Sequence, residues 1–225
     1  MHMRRSIPLL ALLFASTALA DDGFTPLFNG KDTTGWTTTL RPPKDMPDAK
    51  PDPKATWGVK DGVLVCTGKP NGYIATEKEY ADYTLRLKWR YPTGTDKPNS
   101  GVLLHVQPGD DRVWPNCVEA QLKGGFAGDI WLNADKTGKL PAITHDRKDA
   151  ADKTDRHYLR VEAKDVEKPL GEWNAMTITC RGGDFTVVVN GKTVNEAKRC
   201  SLTKGRIGLQ SEGSAVEFKD IEMKK

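Results

Sequence analysis

Arg86, Lys88 and Arg90, then His105 and Gln107, then Glu119, Gln121 and Lys123 fall at every second position of three short segments, 83–90, 101–107 and 117–123. Each segment alternates apolar with polar residues, so each places its polar residues on one side of a strand and its apolar residues against a core. If the three strands pair, their polar sides form one wall. Guanidinium, ammonium, imidazole, carboxylate and amide groups on one wall can move protons and hold hydroxyls, which suits a saccharide or other polyol site. The same pattern also describes an ordinary solvated sheet exterior.

The elements that must position such a wall are β-strands. Turn signals recur at Asn29-Gly30, Asp61-Gly62, Asn71-Gly72, Gly182-Gly183, Asn190-Gly191 and Glu212-Gly213. Between them lie β-rich runs at 62–67, 176–180, 185–189 and 206–210. Many short strands, tight turns and no amphipathic helix point to an all-β sandwich. The plainest hairpin spans 185–194, where Asn190-Gly191 can adopt the positive φ angles of a two-residue turn. Two stretches break the pattern. Residues 41–54 hold five prolines among charges and read as an extended loop. Residues 133–168 form a long polar loop, with a short helix expected around 149–156; an insertion of that length in one domain often covers a site.

The chain has 225 residues, a formal charge of +4 and no clustered block of Lys or Arg, which argues against nucleic acid or anionic membrane as partner. Residues 1–20 read as a signal peptide: His2, Arg4 and Arg5 precede an apolar run at 7–14 and a small-x-small pattern, Ala18-Leu19-Ala20. The expectation is a periplasmic or secreted protein cleaved near Ala20, with residues 21–225 forming one domain and no later run long enough to span a bilayer. Cys66, Cys117, Cys180 and Cys200 form an even set that suits an oxidising compartment. Sequence does not choose among the three pairings; Cys66 with Cys117 and Cys180 with Cys200 is the preferred one. Their spacing does not resemble a zinc knuckle.

Several runs carry a family resemblance. Residues 24–32 through Gly35-Trp36, then Asn99-Ser100-Gly101-Val102, Glu119-Ala120-Gln121, Glu172-Trp173-Asn174, Val189-Asn190-Gly191 and residues 205–213 resemble, in order and spacing, the 3-keto-disaccharide hydrolase family. The resemblance implies a concanavalin A-like jelly-roll β-sandwich of two antiparallel sheets. It also implies cleavage of 3-keto glycosides by 1,2-elimination, and hydration of the resulting 3-keto-2-hydroxyglucal. The chain departs from the family at Glu212, where many relatives have His, and at Phe218-Lys219-Asp220-Ile221, where many read Phe-Arg-Asn-Ile.

That chemistry needs a base near C2, a cation or hydrogen-bond donor near the C3 oxygen, and an acid for the departing oxygen. His105 and Glu119 are the candidates for proton transfer, because imidazole titrates near neutrality and burial raises a carboxyl towards it. Arg90 and Lys123 are the candidates for enolate stabilisation. Asn99, Gln121 and Gln210 would orient hydroxyls, and Trp114 or Trp131 would offer a flat face to a sugar ring. His105 also fits a histidine on an exposed sheet, and the tryptophans also fit core positions. Asp129 fits an acid, a metal ligand or a turn residue. His105, Glu119 and Asp129 could together ligate a divalent ion, though they form no recognised motif. Two other readings stay open. An ordinary glycanase would need two carboxylates flanking the bond, of which the strand around Glu119 supplies one. A non-catalytic carbohydrate-binding module would keep the fold without the proton transfer.

Overall fold

The alternation of apolar and polar residues becomes two antiparallel sheets in a computed structural model that describes residues 22–147, 156–160 and 166–225. The strands are β1 (Thr25–Pro26), β2 (Trp36–Leu40), β3 (Trp57–Lys60), β4 (Val63–Cys66), β5 (Gly72–Thr76), β6 (Tyr83–Arg90), β7 (Gly101–Val106) and β8 (Cys117–Gln121). They continue as β9 (Ile130–Asn133), β10 (His157–Tyr158), β11 (Asn174–Arg181), β12 (Asp184–Val189), β13 (Lys192–Ala197), β14 (Arg206–Ser211) and β15 (Val216–Lys224). Among the described residues the one helix is the single turn Pro53–Thr56, capped by the Asp52 carboxylate, which accepts from the Lys54 N–H.

One sheet runs β13-β12-β11-β6-β15-β4-β3, with β1 added beside β15; the other runs β10-β9-β8-β7-β14-β5-β2. The core lies between them. Leu85, Leu87, Trp89, Ile178, Val187 and Phe218 from the first sheet meet Ile74, Val102, Leu104, Val118, Ala120 and Leu209 from the second, all essentially excluded from solvent. Each large side chain buried this way contributes about 1.5–3 kcal/mol. The second sheet also carries a small apolar cluster on its other side, Tyr73, Ala75, Leu103, Val106 and Cys117. The expected hairpin is present: β12 and β13 are joined by Asn190 and Gly191 at φ 48° and 80°.

Four expectations need correction or fall outside the structure. The three-strand wall does not exist, because β6 pairs with β11 and β15 in one sheet while β7 and β8 pair in the other. The alternation of β6 faces the shared core from the opposite side, so its polar side points away from those of β7 and β8. The cysteines are four buried free thiols. Cys66 belongs to the core between the sheets and Cys117 to the cluster on the far side of the second sheet, so that pairing is excluded by the sheet between them. The signal segment and most of the helix expected around 149–156 lie outside the described residues.

Candidate functional site

The outer face of the second sheet is hollowed by a cavity of about 440 Å³. β8 supplies Glu119 and Gln121, β9 supplies Trp131 and Asn133, and β14 supplies Gln210, followed by Glu212 in the next turn. The remaining wall comes from segments just outside strands: Asn99, Trp114, Lys123 and Arg156. Strand register explains the grouping. Leu103 of β7 stands opposite Glu119, Glu119 opposite Trp131, and Trp131 opposite His157 of β10, so one row of side chains crosses four strands on one face.

Glu119 sits at the floor. It is 5% exposed, and its Oε1 has no hydrogen-bond partner. Its Oε2 accepts from Asn133 Nδ2 at 3.4 Å, a long bond that satisfies it weakly. Burial first, and the Glu212 carboxylate second, push the Glu119 carboxyl from an ordinary 4.5 up to about 8. Near neutrality it is therefore protonated. A glycine makes this placement possible: a Cβ at Gly101 would stand 2.3 Å from Glu119 Oε1 and 2.8 Å from its Cδ. Glu212 is also raised by burial, but Asn99 hydrogen-bonds to it and the charge of Lys123 draws it back down.

The amides are arranged as a mixed set of donors and acceptors. Gln121 Oε1 accepts from the backbone N–H of Leu122 and of Lys123, each at 2.9 Å, so its NH2 is the end it offers to the cavity. Asn99 Oδ1 and Gln210 Oε1 are buried without a partner. Together with Glu119 Oε1, three buried oxygens have no intramolecular partner, and a buried polar atom in that state costs about 1–3 kcal/mol unless a ligand or water meets it. Hydroxyl-bearing ligands supply what these groups lack.

Of the residues expected from sequence, Asn99, Trp114, Glu119, Gln121, Lys123, Trp131 and Gln210 come together here. His105 does not. It is 1% exposed and lies in the core, 5.6 Å from the Tyr83 ring and 5.5 Å from that of Phe185 across the interface. Its Nδ1 and Nε2 face the carbonyls of Leu202 and Ala81 at 2.8 and 3.3 Å. The cause is a β-bulge. Arg206 pairs with Val106 and Gly208 with Leu103, so β7 spends three steps where β14 spends two, and His105 takes φ 53°. One extra residue turns every later side chain to the opposite face. Burial lowers the His105 pKa, so the ring is held neutral. Arg90 lies on the outer face of the first sheet, bonded to Glu217 Oε2 at 2.5 Å and packed 4.5 Å over the Trp173 ring.

Asn133, Arg156 and Glu212 were not singled out from sequence as site residues. Glu212 had a signal, the departure from histidine inside a family run; Asn133 and Arg156 had none beyond their place at the start of the long polar loop and within it. The trio His105, Glu119 and Asp129 is not gathered: Asp129 Oδ2 instead accepts from His157 Nε2 at 2.7 Å. Among the described residues no three or more His, Cys, Asp or Glu side chains cluster as a metal site. No described helix is long and apolar enough to cross a membrane.

Residues 23–224 match the model of the 3-keto-alpha-glucoside-1,2-lyase-like domain. Among solved structures, a candidate glycosyl hydrolase of Parabacteroides distasonis is 25% identical, with 90% of this chain and 93% of that one covered at a TM-score of 0.61. A carbohydrate-binding module of Bacillus subtilis, 12% identical, covers 87% and 98% at 0.59, and the β-glucanase of Bacillus licheniformis, 10% identical, covers 90% and 97% at 0.57. These two share the jelly-roll fold. None of the curated proteins matches the chain.

Proposed function

For a chain that belongs to the 3-keto-alpha-glucoside-1,2-lyase-like domain family, as its match over residues 23–224 shows, we propose an enzyme that cleaves 3-keto glycosides by 1,2-elimination. A carbohydrate-related function is supported by the family and by the glycosyl hydrolase neighbour. The finer reading is carried by one observation: a buried carboxyl, Glu119, protonated near neutrality and facing a second, less strongly buried carboxylate, Glu212, across a cavity of hydroxyl-matching amides.

A ketone at C3 acidifies the hydrogen on C2. Glu212, whose pKa burial raises while Asn99 and Lys123 favour its ionised form, takes that proton, and the C–H electron pair becomes an enolate whose charge rests on the C3 oxygen. Lys123 and Arg156 are the cations that line the cavity and can meet this oxygen. The enolate then reforms the C3 carbonyl, makes a C1=C2 double bond and expels the C1 oxygen. Glu119 gives that oxygen its proton. Hydration runs the elimination backwards with water in place of the aglycone: Glu119, now ionised, takes a proton from the water whose oxygen adds to C1, and Glu212 returns its proton to C2. Trp114 and Trp131 offer aromatic faces to the sugar, while Asn99, Gln121 and Gln210 orient its hydroxyls.

The test follows release of a chromogenic aglycone from a 3-keto glycoside together with the ultraviolet absorbance of the enone. Release with a transient enone supports the elimination. Release from the unoxidised glycoside instead would indicate ordinary hydrolysis by the two carboxylates, and sugar binding without release from either would indicate a binding module.

A further inference from the structure

We propose that Asp129 and His157 are positioning residues that fix the indole of Trp131 as a sugar platform, a role that rests on reading the cavity as a saccharide site. His157 and Trp131 are register partners on β10 and β9, and their rings stack with centroids 4.2 Å apart and planes inclined by 16°. One face of the indole is thereby covered, and the rest of the ring is what Trp131 presents to the cavity. The imidazole is itself held: its Nε2 donates to Asp129 Oδ2 at 2.7 Å, and the Asp129 side chain is 1% exposed. Asp129 is in turn fixed by the Arg160 N–H, which donates to its Oδ1 at 2.8 Å. Both carboxylate oxygens are thus occupied by donors, and neither is free to reach the cavity.

This chain of contacts gives the short strand β10 a purpose. It is two residues long and stands at the edge of the sheet, yet it places His157 beneath the indole while the preceding Arg156 lines the cavity. An unsupported tryptophan on a sheet face can rotate about χ1 and χ2. A parallel ring locked by a buried acceptor removes that freedom before the sugar arrives, which is how a binding surface is pre-organised.

Four variants of the full chain test the role: His157→Ala, His157→Phe, Trp131→Ala, and the double variant His157→Ala with Trp131→Ala. The KM and kcat for a 3-keto glycoside are measured in each, and the indole N–H resonance of Trp131 in the two that keep the indole. In His157→Ala the indole resonance moves, KM rises roughly tenfold and kcat changes by less than about twofold, because the loss is one of stacking and binding. His157→Phe, which keeps a flat ring but has no N–H for Asp129 to hold, recovers only part of the KM. The double variant is no weaker than Trp131→Ala alone, since His157 acts through the indole. An unmoved resonance in His157→Ala, or single effects that multiply in the double variant, would overturn the proposal. If the unaltered chain turns over no 3-keto glycoside, the elimination reading falls, while the resonance still decides the stack.

Discussion

Both sheets carry rows of charged and polar residues on their outer faces, but only one leaves them unmatched. On the first sheet Arg86 bonds Glu222 at 2.6 Å and also Asp22, Lys88 pairs with Asp220 at 2.9 Å, and Arg90 with Glu217 at 2.5 Å. Its aromatic rings are covered by cations as well, Phe24 by Arg86 and Lys224, and Trp173 by Arg90 and Lys219. These pairs are partly open to solvent and serve one another. On the second sheet three buried oxygens have no partner and a carboxyl is pushed up to about 8. A folded chain retains such unmet groups where something else is to meet them, so the contrast in pairing, more than the presence of charge, separates the site from the exterior.

The largest effect expected from this contrast follows Glu119→Gln. It leaves shape and burial almost unchanged but removes the proton donor, and turnover of a 3-keto glycoside should fall roughly a thousandfold. Stability should move the other way. The folded-state pKa of Glu119 lies above the ordinary 4.5, so its contribution is intact below about that pH and is lost as pH rises towards about 8, where the buried group must ionise. Thermal melts of the unaltered chain should therefore show a Tm that declines over this window by more than that of Glu119→Gln. Equal slopes for both would mean that Glu119 does not carry the raised pKa.

A smaller effect comes from the glycine beneath that carboxyl. Gly101→Ala would set a methyl group 2.3 Å from Glu119 Oε1, and the carboxyl is the end of a side chain that can swing away. The fold should survive with little change in Tm while kcat drops by roughly ten- to a hundredfold, the scale expected when a catalytic group is displaced by about an ångström. A glycine that served only the backbone would give the opposite pattern, a lowered Tm with the kcat of the remaining folded protein intact. Its φ is not in the left-handed region, so the methyl's clash with Glu119 is the source of the effect.

How far the site was legible depends on what a period of two can and cannot say. The seven cavity residues anticipated from sequence include Glu119 and Gln121, which every second position of β8 reaches because its register with β7 and β9 is unbroken, and Asn99 and Gln210, which the motif runs mark. His105 was misplaced by a bulge that no composition signal announces; its one trace is Gly205, where a Cβ would strike the His105 backbone at 2.5 Å. Arg90 was misplaced because alternation shows which side of a strand is polar but not which sheet the strand joins. The role of His157, one of the polar residues of the long loop, is hidden in the sequence for a related reason. Its meaning lies in pairing with Trp131 across a long loop, and pairing partners at such separation leave no local pattern.

The smallest expected effect bears on the paired face. Arg90→Ala removes an ion pair with Glu217 and a cation resting on Trp173, both on the exterior and away from the cavity. An ion pair this open to water contributes about 0.2–1 kcal/mol, and the lost packing on the indole adds a similar amount. Kinetic constants should stay within about twofold of the unaltered chain, with any loss appearing as a slightly lower Tm that shrinks further in high salt. A large fall in kcat with the fold intact would put catalytic weight on the first sheet. The distinction between matched and unmatched faces would then fail at the residue chosen to represent it.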